Sequence, residues 1–266
     1  MNPNCRKRMG AIRLENMKVI VQEEIAPAIF ELVLEGEMVE AMKAGQFLHL
    51  RVPDDAHLLR RPISISSIDK SKRQCHLIYR IEGSGTAIFS TLKTGDSIDV
   101  MGPQGNGFDL SDLDKQSHVL IVGGGIGVPP LLEVAKQLHD RGVEITTVLG
   151  FATKEAVILE DELSQYSKVF VTTDDGSYGI KGNVSAVIKE LDTEFDAVYS
   201  CGAPGMMKYI NQTFYEHPRA YLSLESRMAC GMGACYACVL KVPDSETVSQ
   251  RVCEDGPVFK TGTVVL

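Results

Sequence analysis

The sequence predicts an α+β chain of three parts: an antiparallel β-barrel, an α/β domain with a parallel sheet, and a small cysteine-rich C-terminal domain. Three observations predict this organisation. Residues 18–101 consist of short strand-like segments between turn residues, strands and helices alternate after Gly105, and four of the seven cysteines lie at or beyond residue 230. A chain of 266 residues is long enough for two ordinary domains and a small addition. We expect the three parts at 10–106, 107–218 and 219–266.

The composition excludes several classes of protein. A hydrophobic content of 44% with 23% charged residues is typical of globular proteins, and a net charge of -8 argues against nucleic acid as a partner. No apolar run approaches the roughly 20 residues that a membrane-spanning helix needs. The basic N-terminus lacks the apolar run of a secretory signal, so we expect a cytoplasmic protein. Residues 1–8 are either a tail or a stretch that precedes a true start at Met9.

The first part is predicted to be a small barrel or sandwich because short β-rich segments recur at close spacing. A helix is expected at 86–93, after the glycines at 83 and 85. The predicted strands are VIVQEEI, IFELVLEG, QFLHLRV, ISISSI, CHLIYRIEG and SIDVMGP.

The second part alternates strands with helices, which predicts a parallel sheet covered on both faces. The predicted strands are HVLIVGG, EITTVLGFA, KVFVTTDD and AVYSCG. The predicted helices are VPPLLEVAKQLHDRG, ILEDELSQY, VSAVIKEL and GMMKYINQTFYEH. In the third part, a strand YLSLES precedes the cysteine-rich loop, and residues 240–253 form a hairpin that returns Cys253 to Cys238.

The cysteine spacing predicts a metal centre. Cys230, Cys235, Cys238 and Cys253 follow the pattern C-x4-C-x2-C with one distal cysteine, which is the plant-type ferredoxin spacing for a [2Fe-2S] cluster. The alternative is a zinc site with four thiolate ligands. Zinc usually takes two separate Cys-x-x-Cys pairs, and this segment has one such pair.

Two segments of the barrel predict a dinucleotide site. An arginine, proline and serine run at 60–66 can place a guanidinium on a pyrophosphate, and the Gly83–Thr86 turn opens a helix whose amides suit an anion. Glycines there allow the backbone to approach phosphate closely. Together with residues 78–80, these segments favour a flavin dinucleotide.

A third glycine-rich segment predicts a nucleotide site in the α/β domain. Gly123, Gly124, Gly125 and Gly127 end a strand and open a helix, the context that a nucleotide-binding turn requires. Cys201 and Gly202 end another strand, and open α/β sheets bind ligands at that edge. Cys201 either lies near a nicotinamide or is a small buried thiol.

These motifs together resemble a known family. Residues 10 to about 218 are similar to the ferredoxin–NADP reductase superfamily, and the addition of the cysteine segment makes the chain resemble the electron-transfer subunits of class 1B dihydroorotate dehydrogenases. The stretch SLESRMACGMGACYAC is the most specific part of the match. The resemblance implies that Cys230, Cys235, Cys238 and Cys253 ligate [2Fe-2S]. It implies FAD binding by Arg61, Pro62, Ile63, Ser64, Ile78, Tyr79, Arg80, Gly85 and Thr86.

The resemblance also implies an activity and a partner. Electrons would pass from the FMN of a dihydroorotate dehydrogenase catalytic subunit, through [2Fe-2S] and FAD, to NAD+, in an assembly of two copies of each subunit. No side-chain acid or base is assigned, and this chain alone should not oxidise dihydroorotate. Subunits of NADH-dependent ferredoxin:NADP oxidoreductases, sulfite reductases and sulfhydrogenases have a similar build. The alternative of another class is a zinc-stabilised interaction module without flavin.

Three further points concern single positions. Plant-type reductases end on an aromatic residue that covers the flavin, whereas this chain ends in Val-Val-Leu, so that role is not assigned. Residues 150–155 offer one charge of each sign near the predicted ribose site, and the resemblance favours NAD over NADP. Tyr79 either stacks on the flavin dinucleotide or is an ordinary barrel residue.

Overall fold

A computed structural model describes residues 12–191 and 193–266. The expectations for residues 1–8 and Met9 lie outside the described residues. The structure has the three predicted parts, and the barrel comes first along the chain.

The barrel is closed and antiparallel, with the strand order β1-β2-β5-β4-β3-β6. All six predicted strands are confirmed, and α1 covers Ser84–Phe89. Alternate side chains fill the interior, because successive residues of a strand point to opposite faces. The strands are β1 Arg13–Ala26, β2 Ile29–Glu35, β3 Phe47–Leu50, β4 Arg61–Asp69, β5 Gln74–Arg80 and β6 Ser97–Gln104.

A seven-stranded sheet follows, in the order β10-β9-β8-β7-β11-β12-β15. Its strands are β7 His118–Gly124, β8 Glu144–Phe151, β9 Lys168–Thr173, β10 Ile180–Lys181, β11 Ala197–Cys201, β12 Ala220–Ser223 and β15 Val258–Lys260. Its helices are α2 Pro129–His139, α3 Glu160–Ser164, α4 Ser185–Ile188 and α5 Pro204–Thr213. Helices cover both faces, as predicted: Val119 and Ile121 of β7 pack on one side with α2, whereas Leu120 and Val122 pack on the other with α5.

The C-terminal segment is joined to this sheet. β12 pairs in parallel with β11, and β15 pairs antiparallel with β12 at the edge of the sheet. Between them, β13 Val239–Lys241 and β14 Ser249–Arg251 form the predicted hairpin. The sheet therefore continues past residue 219, where the sequence predicts a domain limit.

Helix α2 connects the barrel to the sheet. The buried Glu133 carboxylate on α2 accepts a 2.9 Å hydrogen bond from the Ile68 amide of β4. Its other oxygen accepts a 2.7 Å bond from Gln137. A buried carboxylate needs such donors, so this contact fixes how α2 lies on the barrel.

Within residues 12–191 and 193–266, no helix combines the length and apolar composition needed to cross a bilayer.

Candidate functional site

A cavity of about 440 Å³ lies against the barrel, and we call it the barrel cavity. Its walls are the starts of β4 and α1, the end of β5, and residues 223–228 from the far end of the chain. The residues predicted to bind the flavin dinucleotide all line it: Arg61, Pro62, Ile63, Ser64, Ile78, Tyr79, Arg80, Gly85 and Thr86. The structure thus brings together two segments that the sequence separates by about twenty residues.

One end of the barrel cavity has the donors that an anion requires. The Arg61 side chain lies against Gly85, where an added Cβ would come 2.7 Å from Arg61 Nε. The Thr86 hydroxyl holds the turn together, accepting the Gly83 and Glu82 amides at 3.2 and 3.0 Å. A guanidinium beside a glycine turn suits a pyrophosphate, since both charge and backbone can reach the oxygens.

Behind this turn is a hydrogen-bonded chain that the sequence did not reveal. Asp54 lies 2.7 Å from His57 Nδ1, and His57 Nε2 lies 2.7 Å from the Ser84 hydroxyl, which faces the barrel cavity. The carboxylate orients the imidazole, and the imidazole orients the hydroxyl. These two hydrogen bonds therefore fix the Ser84 hydroxyl at the anion end of the cavity.

Tyr79 lines the barrel cavity, but its side chain belongs to the core of the barrel. Its ring is buried between Phe30 and Phe89, and its hydroxyl accepts a 2.9 Å bond from Gln22. Burial raises the pKa of Tyr79 to about 12. Of the two interpretations given above, the position fits a barrel core residue better than a stacking ring, and its contact with a flavin stays a prediction.

A second cavity of about 720 Å³ lies at the carboxyl edge of the sheet, and we call it the sheet cavity. Four of the six predicted nucleotide residues line it: Gly124, Gly125, Gly127 and Gly202. The segment ends β7 and opens α2, as predicted. Gly127 has no room for a side chain, because a Cβ would come 2.6 Å from the Cys201 backbone.

Gly123 and Cys201 lie behind the wall of the sheet cavity. A Cβ on Gly123 would come 2.9 Å from Val128 Cγ2 in the sheet interior. Cys201 is 2% exposed, and burial, then the charge of Glu225, raises its pKa to about 12. Both positions fit packing roles in the sheet, and direct contact of either with a nucleotide stays a prediction.

The two cavities meet. Arg80, Glu82, Ile126 and Glu225 line both of them. The Glu225 side chain is exposed to the open space of the cavities, but protein surrounds it on the other sides. Burial and, after it, the negative charge of Glu82 raise the pKa of Glu225, whereas the positive charge of Arg80 lowers it. Ligands bound in the two cavities would therefore share the wall that these residues form. Glu82, Ile126 and Glu225 are not among the predicted site residues, although Ile126 lies in the glycine-rich segment and Glu225 in the stretch that leads to the cysteines.

The cysteine loop, residues 226–238, carries three of the four cysteines, and their sulfur atoms form two pairs together with the sulfur of Cys253. Cys238 Sγ lies 3.3 Å from Cys253 Sγ, and the Cys235 side chain and amide both bond to Cys230 Sγ. Burial opposes ionisation of Cys230, but the amides of Met232, Cys235 and Ala234 outweigh it and lower its pKa to about 7. Cys253 accepts the Gly233 amide at 3.2 Å.

This arrangement fits a two-iron cluster. In a [2Fe-2S] cluster, each iron takes two of the four cysteine sulfurs, which is the grouping seen here. A zinc site would instead need its four ligands around one point.

Local contacts explain how the cysteine loop keeps its shape. Gly233 has φ +77°, a conformation that favours glycine, and an added Cβ would come 2.1 Å from Glu254 Oε2 and displace that carboxylate. Arg251 of β14 donates a 2.8 Å bond to the Gly233 carbonyl and covers the Tyr236 ring at 5.0 Å. Asp255 holds Arg251 in turn, at 3.2 Å.

The cysteine loop also reaches the barrel cavity. Ser226 and Met228, which precede Cys230, line that cavity together with Pro257 from beyond Cys253. A flavin in the barrel cavity would therefore lie next to the segment that carries the cysteines. The three predicted cofactor sites are contiguous.

Comparison with protein families gives three matches along the chain. A model described as an oxidoreductase FAD-binding domain matches residues 15–108. A model described as an oxidoreductase NAD-binding domain matches residues 121–212. A model described as the iron–sulfur cluster binding domain of dihydroorotate dehydrogenase B matches residues 225–265.

Curated relatives match over nearly the whole chain. A Streptococcus pneumoniae (strain R6) protein named dihydroorotate dehydrogenase B (NAD(+)), electron transfer subunit, is 86% identical over 255 residues, which cover 96% of this chain and 100% of the relative. A protein of the same name from Geobacillus sp. (strain WCH70) is 51% identical, with 96% and 100% covered.

Solved structures share the fold. A structure of an NADH-dependent reduced ferredoxin–NADP oxidoreductase has a TM-score of 0.82 at 31% identity and covers 94% of this chain and 89% of that one. The ferredoxin NADP+ reductase from Neisseria gonorrhoeae, with bound FAD and NADP, has a TM-score of 0.65 at 19% identity, with 77% and 92% covered.

Proposed function

This chain belongs to the family of dihydroorotate dehydrogenase B electron transfer subunits, and on that basis we propose that it carries electrons from an FMN-containing catalytic subunit to NAD+ in pyrimidine biosynthesis. FAD and [2Fe-2S] supply the redox chemistry, the cluster exchanging single electrons and the flavin pairing them for hydride transfer. The polypeptide places the two groups and shapes their surroundings. No side-chain acid or base is needed for hydride transfer, and we assign no catalytic residue.

The residues of the barrel cavity divide into an anion end and a ring end. We assign pyrophosphate binding to Arg61, the turn at Gly85 and the hydroxyl of Ser84, which line the cavity together. We assign contact with the flavin ring to Ile63 and Ser64, which follow Arg61 on β4 and also line the cavity. Gly124–Gly127 leave the backbone of the sheet cavity open for a second nucleotide.

One observation carries the proposal: the barrel cavity adjoins both the sheet cavity and the cysteine loop. The shared wall at Arg80, Ile126 and Glu225 would bring nicotinamide and flavin together, while Met228 joins the cavity to the cysteine loop. A chain with this order of sites can receive electrons at one end and deliver them as hydride at the other. A zinc-stabilised interaction module would have no use for either cavity.

We propose that the chain works in the cytoplasm with the catalytic subunit, two copies of each. NAD is the proposed nucleotide, because the curated relatives carry NAD(+) in their names. The predicted ribose-side segment, residues 150–155, contributes Gly150, Phe151 and Ala152 to the sheet cavity.

The test is an anaerobic pull-down of the tagged chain from its own cells, with absorbance spectra and dihydroorotate:NAD+ activity measured on the eluate. An FMN-containing partner together with that activity supports the proposal. A colourless eluate that contains zinc would refute both the flavin and the cluster.

A second candidate function is favoured by one comparison. The structure at TM-score 0.82 belongs to an NADH-dependent ferredoxin–NADP oxidoreductase, so a different electron partner could use the same fold. In the same pull-down, a brown eluate without dihydroorotate activity would support this candidate, or a partner of the sulfite reductase or sulfhydrogenase type.

A further inference from the structure

His49 is a polar residue on the outer face of the barrel that is fully buried. On β3, Leu48 and Leu50 point into the barrel core, so Phe47 and His49 point outward by strand alternation. An outward histidine on a barrel strand would ordinarily face water. Here the C-terminal segment covers it, and His49 is 0% exposed.

The His49 ring has no hydrogen-bond partner in residues 12–191 and 193–266. Both ring nitrogens are unpaired, and so is the Oε1 atom of the neighbouring Gln104, which is 2% exposed. Buried polar groups in proteins are nearly always hydrogen-bonded. Two such side chains facing the same place therefore indicate a partner that is not part of the polypeptide.

The place they face is the cysteine loop. Gly231 directly follows Cys230 and has φ +67°. A Cβ on Gly231 would come 2.3 Å from His49 Nδ1 and 2.8 Å from Gln104 Oε1. The loop backbone therefore lies directly on the imidazole, and glycine is required there both for its conformation and for this close contact.

The ring is neutral under ordinary conditions. Burial, then the charge of Arg60, lowers the pKa of His49 to about 4. A neutral imidazole has one N–H donor and one acceptor. On its other side, the ring makes an edge contact with Phe47 at 5.8 Å, and Phe47 lines the barrel cavity. His49 thus lies between the cysteine loop and the predicted flavin site.

We propose that His49 donates a hydrogen bond to a sulfur atom of the iron–sulfur cluster and thereby raises the cluster's reduction potential. This inference rests on the proposed function, because it takes the cysteine loop to hold [2Fe-2S]. Hydrogen bonds to cluster sulfurs stabilise the reduced form, which carries the extra negative charge. In this role His49, a residue of the barrel, contacts the cluster directly and sets its environment.

The test is the reduction potential of the cluster in His49→Phe, measured by EPR-monitored redox titration of the purified chain with FAD and iron quantified. Phenylalanine keeps a ring beside Phe47 and removes both nitrogens. We expect the one-electron reduction equilibrium to become about tenfold less favourable, which corresponds to about 59 mV. His49→Asn, which can place an amide N–H near the position of Nδ1, should restore much of the loss.

His76→Phe is the matched control. His76 lies on β5, and its ring is bonded to Glu31 at 2.7 Å on another side of the barrel. The same substitution there should leave the cluster potential unchanged. An unchanged potential in His49→Phe as well would overturn the proposal.

If His49→Phe assembles no cluster, the reduction potential of the cluster in His49→Asn tests the proposal instead. A reduction equilibrium in His49→Asn within about threefold of wild type, or about 30 mV, supports the donor role, whereas a larger shift or no cluster overturns it. Failure of the proposed function is a separate result, since it would appear as a wild-type chain without iron, sulfide or FAD.

Discussion

Arg61 and Gly85 form the most sharply defined contact of the barrel cavity. Alanine at position 85 would place a Cβ 2.7 Å from Arg61 Nε and displace the guanidinium. Hydrogen bonds to charged groups contribute about 1.5–3 kcal/mol, so we expect FAD affinity to fall about tenfold or more. Fluorescence titration of the apoprotein with FAD measures this. Gly205→Ala is the control, because a Cβ there meets nothing within 4 Å and the position lies outside the barrel cavity; equal losses in both variants would contradict the prediction.

Cys235 is the exposed member of the four cysteines. Cys235→Ala should lose the cluster, since a [2Fe-2S] cluster needs all four sulfurs, while FAD is retained because no cysteine lines the barrel cavity. Iron, sulfide and flavin analysis measures both. Cys75→Ala, at a buried thiol of the barrel core, should keep the iron. Full iron and sulfide in Cys235→Ala would refute the ligand assignment.

At the residue scale, the sequence was sufficient to predict which residues cluster at the barrel cavity and at the cysteine loop, because both sets belong to recognisable motifs. The residues assigned to the flavin line one cavity because β4 and β5 are paired neighbours, and Cys253 reaches the other three cysteines because the β13–β14 hairpin returns the chain. The Asp54–His57–Ser84 chain was not predictable, since its last contact joins residues 27 positions apart. His49 was missed for a related reason: only the cover of the C-terminal segment makes it buried.

Among the elements, α2 has the most direct link between barrel and sheet. Glu133→Ala would leave the buried Ile68 amide without its acceptor, and an unsatisfied buried group costs about 1–3 kcal/mol. We expect a lower midpoint of thermal unfolding. Glu133→Gln keeps an acceptor oxygen and should lose less. Equal midpoints for wild type and Glu133→Ala would show that the contact contributes nothing.

The elements that the sequence missed are the shortest. β10 has two residues and β15 has three, too few for an alternating pattern to show. Each becomes a strand because it pairs with a neighbour, β9 or β12. The predicted helices at 158–166 and 184–191 are likewise shorter in the structure, at Glu160–Ser164 and Ser185–Ile188, because turns complete those segments.

For the whole molecule, the proposed division of labour predicts a lack of activity in isolation. The two cavities are accounted for by a flavin dinucleotide and a nicotinamide nucleotide, so the purified chain should not reduce a dye with dihydroorotate. The same preparation should reduce the dye with NADH, which shows that its cofactors work. Robust dihydroorotate-dependent reduction by the chain alone would contradict this prediction.

The surface of the cysteine segment predicts where the catalytic subunit docks. Met232, Tyr236, Val239 and Val248 are exposed there, by 44%, 58%, 41% and 56%. Hydrogen exchange across residues 226–253 should slow when the partner is added. β10, at the opposite edge of the sheet, provides the internal control. Unchanged protection at 226–253 would place the interface elsewhere.

The two predicted domain limits, between residues 106 and 107 and between residues 218 and 219, stay predictions. The second limit illustrates why composition alone locates a domain boundary poorly. A change of composition marks the cysteine segment, but β12 and β15 on either side of it are strands of the preceding sheet. Shared hydrogen bonding cannot be read from composition.

That shared sheet has a consequence for motion. The chain leaves the sheet after Ser223 and re-enters it at Val258, so the residues between them, which carry the cysteines, are anchored at both ends to paired strands of one sheet. Electron carriers on flexible tethers move between donor and acceptor, and their rates of electron transfer fall as the solvent viscosity rises. A carrier anchored twice has no such movement, and transfer between the cluster and the flavin should be independent of solvent viscosity.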